Sequence, residues 1–324
     1  MYHRPYPHSR SRSRSLGSEQ SVSPIGDPSN SNSEGSQPWY TPSRLLLFHK
    51  IPSWQQDNEY ILSGYRPTSG SVWRSLTSLF YLHNQTVNAY SHLIGAAVFI
   101  ALSVYFHQVV YKSQANRQVV DLVVVSTYCL GVAVCFLFSA TFHILWNHSH
   151  PLMSFCNKLD YLGILILMWG AGIPTIYYGF FCNESLRLLY WSSTSGTALT
   201  CAILTLDPHF ASPKFRSWRA CFYAGFGLSS IIYVVHGLLV YGWAVQKSRM
   251  SLVWMGWMAT SNLVGAAIYA ARIPERWAPR LFDICGASHQ IFHVAVMIAA
   301  YIHFDGIVSA FRFARSQPGA CSVV

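Results

Sequence analysis

Two histidines four residues apart, His289 and His293, open an apolar stretch near the C-terminus, in Ser288-His289-Gln290-Ile291-Phe292-His293. On a helix this spacing sets both imidazoles on one face. In hydrocarbon an imidazole is costly unless it pairs with another polar group or binds an ion. A third histidine, His143, and a carboxylate, Asp160, lie at the ends of two other apolar stretches, and Ser139 sits one helical turn before His143. Imidazole nitrogen suits zinc, whose catalytic sites take three protein ligands and keep the fourth place open. The pattern points to a Zn2+ site held by His143, His289 and His293. Asp160 is then placed to hold and deprotonate a water, and the Ser139 hydroxyl to orient it or stabilise an oxyanion. Singly, each residue has a plainer reading. Asp160 can cap a helix at its N-terminus, Ser139 can bond back to its own helix, and a lone histidine can be an interfacial side chain. The argument for metal is their coincidence at one depth.

That coincidence depends on the elements that carry them. Of 324 residues, 52% are hydrophobic and 10% charged, against about 25% charged in soluble domains. The 11 Trp and 19 Tyr suit the aromatic belts of membrane interfaces. Seven stretches, near 90–111, 120–146, 159–181, 185–206, 217–242, 251–271 and 288–311, are each long enough for a bilayer core of about 30 Å. The fold expected is all-α: a polytopic, multi-pass integral membrane protein of seven transmembrane helices. Odd-numbered spans begin on the N-terminal side and even-numbered ones end there. Parity therefore brings Ser139, His143, Asp160, His289 and His293 to one leaflet. His92, at the start of the first span, shares that leaflet and suggests a structural or supporting role. His107, His236 and His303 fall towards the other, while His148 and His150 sit in a polar loop. Gly170, Gly172 and Pro174 predict a kink in the third span.

Residues 1–42 form a Ser/Arg-rich tail with too little apolar surface to fold. Residues 43–87 read as a cytoplasmic or interfacial approach, with a short amphipathic helix over Ser71 to Tyr81. The bundle occupies 88–311, and 312–324 is a short C-terminal tail. The net charge of +10 is no sign of nucleic-acid binding, because the arginines lie in the tail and in loops, as membrane orientation requires. The N-terminal side holds 15 of the 22 Lys/Arg, which puts the N-terminus in the cytoplasm and the C-terminus opposite. Eight of those 15 precede the first span, and without them the two sides tie at seven. The eight cysteines show no CxxC pair, so neither a disulfide framework nor thiolate zinc ligation is expected.

At these residues the chain resembles the progestin and adiponectin receptor family, which includes the haemolysin III-type proteins. The likeness lies in Ser63-Gly64-Tyr65-Arg66, Asn88-Ala89-Tyr90-Ser91-His92-Leu93-Ile94-Gly95, Ser139-Ala140-Thr141-Phe142-His143, Lys158-Leu159-Asp160-Tyr161, Tyr269-Ala270-Ala271-Arg272-Ile273-Pro274-Glu275-Arg276, Phe282-Asp283 and the closing HxxxH. It covers roughly residues 50 to 310. The resemblance implies a bundle with a cytoplasmic N-terminus, and zinc on His143, His289 and His293 with Asp160 holding the water. For the animal branch it implies hydrolysis of the ceramide amide. The short Arg/Ser-rich tail is more similar to a fungal branch linked with lipid and zinc metabolism.

The function expected is therefore zinc-dependent intramembrane hydrolysis of a lipid amide, ceramidase-like, with a role in lipid and zinc homeostasis. A long-chain lipid, ceramide-like or a free fatty acid, would enter the bundle from the membrane. The alternative is a seven-helix receptor or regulator with structural zinc and no turnover of its own. A transporter is disfavoured by the lack of paired broken helices.

Overall fold

The computed structural model describes residues 45–207, 215–316 and 321. The 1–42 tail lies outside them. A short helix, α1 (Val72–Thr77), precedes seven long ones: α2 (Thr86–Tyr105), α3 (Val119–Leu145), α4 (His150–Gly179), α5 (Glu184–Leu206), α6 (Arg216–Arg249), α7 (Leu252–Ala271) and α8 (Ser288–Ser316). Among the described residues the only extended pairing is an isolated bridge between Leu46 and Tyr65. The protein is an all-α, multi-pass integral membrane protein. Five of the long helices meet length and apolarity requirements for a membrane span on composition alone. The other two, α5 and α7, have 23 and 20 residues but carry a Ser/Thr run and Asn262 respectively.

The helices start where side chains absorb their unpaired N–H groups. At α3, Asp121 Oδ2 accepts from the Gln118 backbone N–H at 2.8 Å in a capping box. At α5, Asn183 Oδ1 accepts from Leu186 N at 2.9 Å. At α8, Glu275 accepts from both the backbone N–H and the hydroxyl of Ser288.

The interior lies among α2, α3, α4 and α8, around buried Phe99, Phe106, Tyr128, Phe136 and Phe311. Tyr128 donates to the Ala300 carbonyl at 2.6 Å and ties α3 to α8. The close approach of α3 to α4 needs glycine: a Cβ at Gly163 would lie 2.9 Å from Cys135 Cα, and one at Gly170 would lie 3.1 Å from the Thr127 carbonyl. Elsewhere large apolar side chains point outward, Leu239 at 80% exposure and Leu263 at 70%. In water such a surface would associate; here hydrocarbon covers it.

Several boundaries differ from the sequence expectation. The third span begins at His150, not near 159, because Pro151 falls in the first turn, where no N–H is needed. Asp160 therefore lies about 15 Å inside the helix at 1.5 Å per residue. The helix is unbroken across Pro174. The approach segment packs over the His-bearing end of the bundle, where Arg66 meets the last turn of α3. Cys182 and Cys321 form a disulfide, which the spacing of the cysteines gave no reason to expect.

Candidate metal centre

His143 comes from the last turn of α3, and His289 and His293 from the first two turns of α8. One ligand atom from each lies within 4.8 Å of the others. The ring centroids are 4.8 to 5.1 Å apart, and the two Nε2 atoms on α8 are 3.0 Å apart. His143 is fully buried and His293 is 2% exposed.

Two of the three outer nitrogens have partners. His143 Nδ1 is 2.8 Å from Gln85 Oε1, so the carboxamide oxygen accepts and the ring carries its proton on Nδ1. Asn88 Nδ2 donates to the same oxygen at 2.7 Å. His293 Nδ1 is 3.4 Å from the Ser91 hydroxyl. The buried His143 Nε2 is left with no protein partner. A lone pair facing two further imidazoles, with its ring fixed from behind, is the arrangement of a metal-ligating histidine. The three residues fit a divalent cation.

The cluster lies beside a polar cavity of about 220 Å³, bordered by Gln85, Trp146, Tyr269, Arg272 and Asp283 as well as His143 and His289. Its roof is the approach segment. Arg66 is buried and donates to the His143 carbonyl at 2.7 Å, the Ile144 carbonyl at 2.9 Å and Ser78 Oγ at 2.6 Å. It satisfies the last carbonyls of α3, where positive charge is favoured. Burial lowers its pKa to about 10, with the Tyr81 phenol opposing the shift, so it stays charged at neutral pH. Asp283 accepts from Leu62 N at 3.0 Å and Ser63 Oγ at 2.6 Å, and Asn58 donates to Glu275 at 3.0 Å. His83 Nδ1 accepts the backbone N–H of Gln85 at 3.1 Å, which requires that nitrogen to be unprotonated. Burial, helped by the charge of Arg66, lowers the His83 pKa to about 2.

The remaining sequence candidates divide. His92 stacks on His293 at 3.7 Å and 8° and on Phe136 at 4.6 Å, which supports the ring. Asp160 lies near Ser139 but is not among the three clustered histidines. His107 pairs with Ser126, His236 with Tyr190, and His303 lies by Thr175, all away from the cluster. His148 stays in its loop beside Ser149, and His150 is exposed. Gln85, Arg66, His83 and Glu275 were not expected as site-building residues. The signal was present as the polar run Asn84-Gln85-Thr86 at the head of the first span.

Residues 80–304 match the model of the haemolysin-III related family. The chain belongs to that family. Among its relatives, the Adiponectin receptor protein of Drosophila melanogaster is 36% identical over 285 residues, covering 88% of this chain and 63% of that protein. The ADIPOR-like receptor IZH2 of Saccharomyces cerevisiae is 37% identical over 269 residues, covering 83% and 84%. The rice Heptahelical transmembrane protein ADIPOR1 is 31% identical over 327 residues, covering 85% and 86%. The chain thus spans less than two thirds of the fly protein. The haemolysin-III related match encloses His143, His289 and His293 and ends just past α8's midpoint. It begins after Arg66, so this roof residue lies ahead of the matched region.

Proposed function

We propose that the protein is a zinc-dependent hydrolase of a long-chain lipid amide of the ceramide class, working inside the membrane. The observation that carries this reading is the buried, unpartnered Nε2 of His143 facing His289 and His293. His143, His289 and His293 hold the metal, and Gln85 and Ser91 fix two of the rings. When bound, zinc polarises a carbonyl and brings the pKa of a coordinated water to about 7. The carboxylate of Asp160, near the Ser139 hydroxyl, would accept a proton from water and deliver it to the leaving amine nitrogen. The lipid has an apolar bed: a groove of about 520 Å³ runs along α7 and α8 past Val264, Val294 and Ile298. Gln290 borders both this groove and the polar cavity.

The test is fatty-acid release from ceramide by the purified protein in lipid nanodiscs. Wild type should turn over, His143→Ala should neither hold zinc nor turn over, and Asp160→Asn should hold zinc with turnover reduced by about 10²–10⁴-fold. Undiminished release by Asp160→Asn removes the proton role.

A second reading has an observation of its own. The relatives' names speak of receptors, and Asp160 stands outside the histidine cluster. On that reading zinc ties α3 to α8, a lipid or protein ligand shifts the bundle, and His143→Ala loosens the fold while no turnover exists to lose.

A further inference from the structure

We infer that Gln290 is the threshold between the bilayer and the histidine cluster: a long-chain lipid lying in the α7–α8 groove presents its head there, and the Gln290 carboxamide selects a head that carries a carbonyl. This rests on the reading of the site as one that takes a lipid amide. Among the described residues, Gln290 alone borders both the polar cavity beside His143 and His289 and the apolar groove past Val264, Val294 and Ile298.

Helix geometry puts it there. At about 100° per residue, His289 and His293 share one face of α8, and Ile291, Val294 and Ile298 fall on nearly the opposite one. Gln290 stands between the two faces. The start of α2 divides in the same way, with Val87 on the groove and Gln85 and Asn88 on the cavity. The seam between the first turns of α2 and α8 is therefore the boundary between the two spaces.

Three hydrogen bonds hold the carboxamide in that seam. Its Oε1 accepts from the Gly286 N–H at 2.6 Å, and its Nε2 donates to the Ile284 carbonyl at 2.9 Å. Both tie it to its own loop, which Asp283 anchors to Leu62 and Ser63. The third bond, from Nε2 to the Asn84 carbonyl, crosses to the α2 side and is the longest at 3.4 Å. A bond of that length is the weakest of the three, so the seam opens by giving up one poor contact. Gln290 is 3% exposed, and a buried N–H needs an acceptor. A lipid amide at the seam supplies its carbonyl oxygen in place of Asn84, one residue from His289. A head without an acceptor leaves the N–H unpaired and is rejected.

Photo-crosslinking tests this without requiring turnover. Two probes carrying the same diazirine chain, a ceramide and a head-free alkane, are crosslinked to purified protein in lipid nanodiscs, and the labelled peptides are identified by mass spectrometry. Both should label α8 around Val294 and Ile298. Wild type should half-saturate with the ceramide at a concentration about 3–10-fold lower than with the alkane, the worth of one hydrogen bond. Gln290→Leu should erase that preference by weakening the ceramide alone, with alkane labelling and zinc retention unchanged. A preference that survives Gln290→Leu, or its absence from wild type, would overturn the inference. Equal weakening of both probes would also overturn it, by showing a bond that only holds the loop. Should Gln290→Leu not fold, Val87→Trp narrows the seam from the α2 side without touching the carboxamide. It should bring ceramide labelling down to the alkane level, and unaltered labelling would overturn the route. A ceramide preference with no fatty-acid release would remove the hydrolase reading and leave the threshold in place.

Discussion

Replacing Gln85 with Leu tests the histidine cluster without touching a ligand. The carboxamide oxygen accepts from His143 Nδ1 at 2.8 Å and from Asn88 Nδ2 at 2.7 Å. Leu is of similar size and cannot accept. The Nδ1 proton of a fully buried ring is then left without a partner, and the competing tautomer moves the proton to Nε2, the atom that must face the cation. Loss of such a supporting partner costs about 10–100-fold in metal affinity, or about 1.4–2.7 kcal/mol. The assay is zinc retained by purified protein, measured by elemental analysis against rising chelator concentration. Gln85→Leu should release zinc at a chelator concentration about 10–100-fold lower than wild type, whereas Gln85→Glu, which keeps an acceptor, should match or exceed wild type. If Gln85→Leu holds zinc like wild type with an unchanged thermal midpoint, or if wild type purified without chelator carries no stoichiometric metal, the reasoning fails.

Three further outcomes follow from the same contacts. Arg66→Met leaves the His143 and Ile144 carbonyls unpaired at about 1–3 kcal/mol each, and should lower the thermal midpoint in detergent and zinc retention together. Asp121→Asn strands a buried guanidinium and should cost about 3–5 kcal/mol, while a paired Asp121→Leu, Arg315→Met variant removes the stranded charge but also the α3 cap, and should recover only part of that loss by the same melt. His83 is held neutral, with a folded pKa of about 2 against about 6.5 unfolded. Between those values the unfolded chain binds a proton that the folded one refuses. This contribution is complete above about pH 6.5 and falls as the pH drops below it. His83→Gln should flatten the decline of the midpoint between pH 8 and pH 5, and an unchanged slope would show that another group sets it.

The clustering of the three histidines was legible because two simple periodicities reveal it: four residues on one helix, and the parity of membrane crossings. Their supports were not. Gln85 meets His143 across 58 residues, and Asn58 meets Glu275 across 217. No local period marks such pairs. Residues 43–87 read as an approach to the membrane, but nothing in their pattern marked Arg66 and Gln55 as buried. There, side chains answer to the carbonyls that α3 leaves exposed at its end, which composition does not show. Asp160 was placed at a helix start by the polar run before it, but Pro151 serves as a starting residue and moves that start back by three turns. Cys182 and Cys321 are separated by 139 residues, and eight cysteines scattered among apolar stretches gave no hint of which two would meet.

The order in which the ribosome delivers the ligands has its own consequence. His143 leaves on the second long helix, and its two partners leave on the last. Until translation is nearly finished, a cation has one imidazole to hold and cannot be trapped. On the proposed zinc site, loading would therefore be the closing event of biogenesis, and a chain truncated before α8 would emerge empty however much zinc the cell provides.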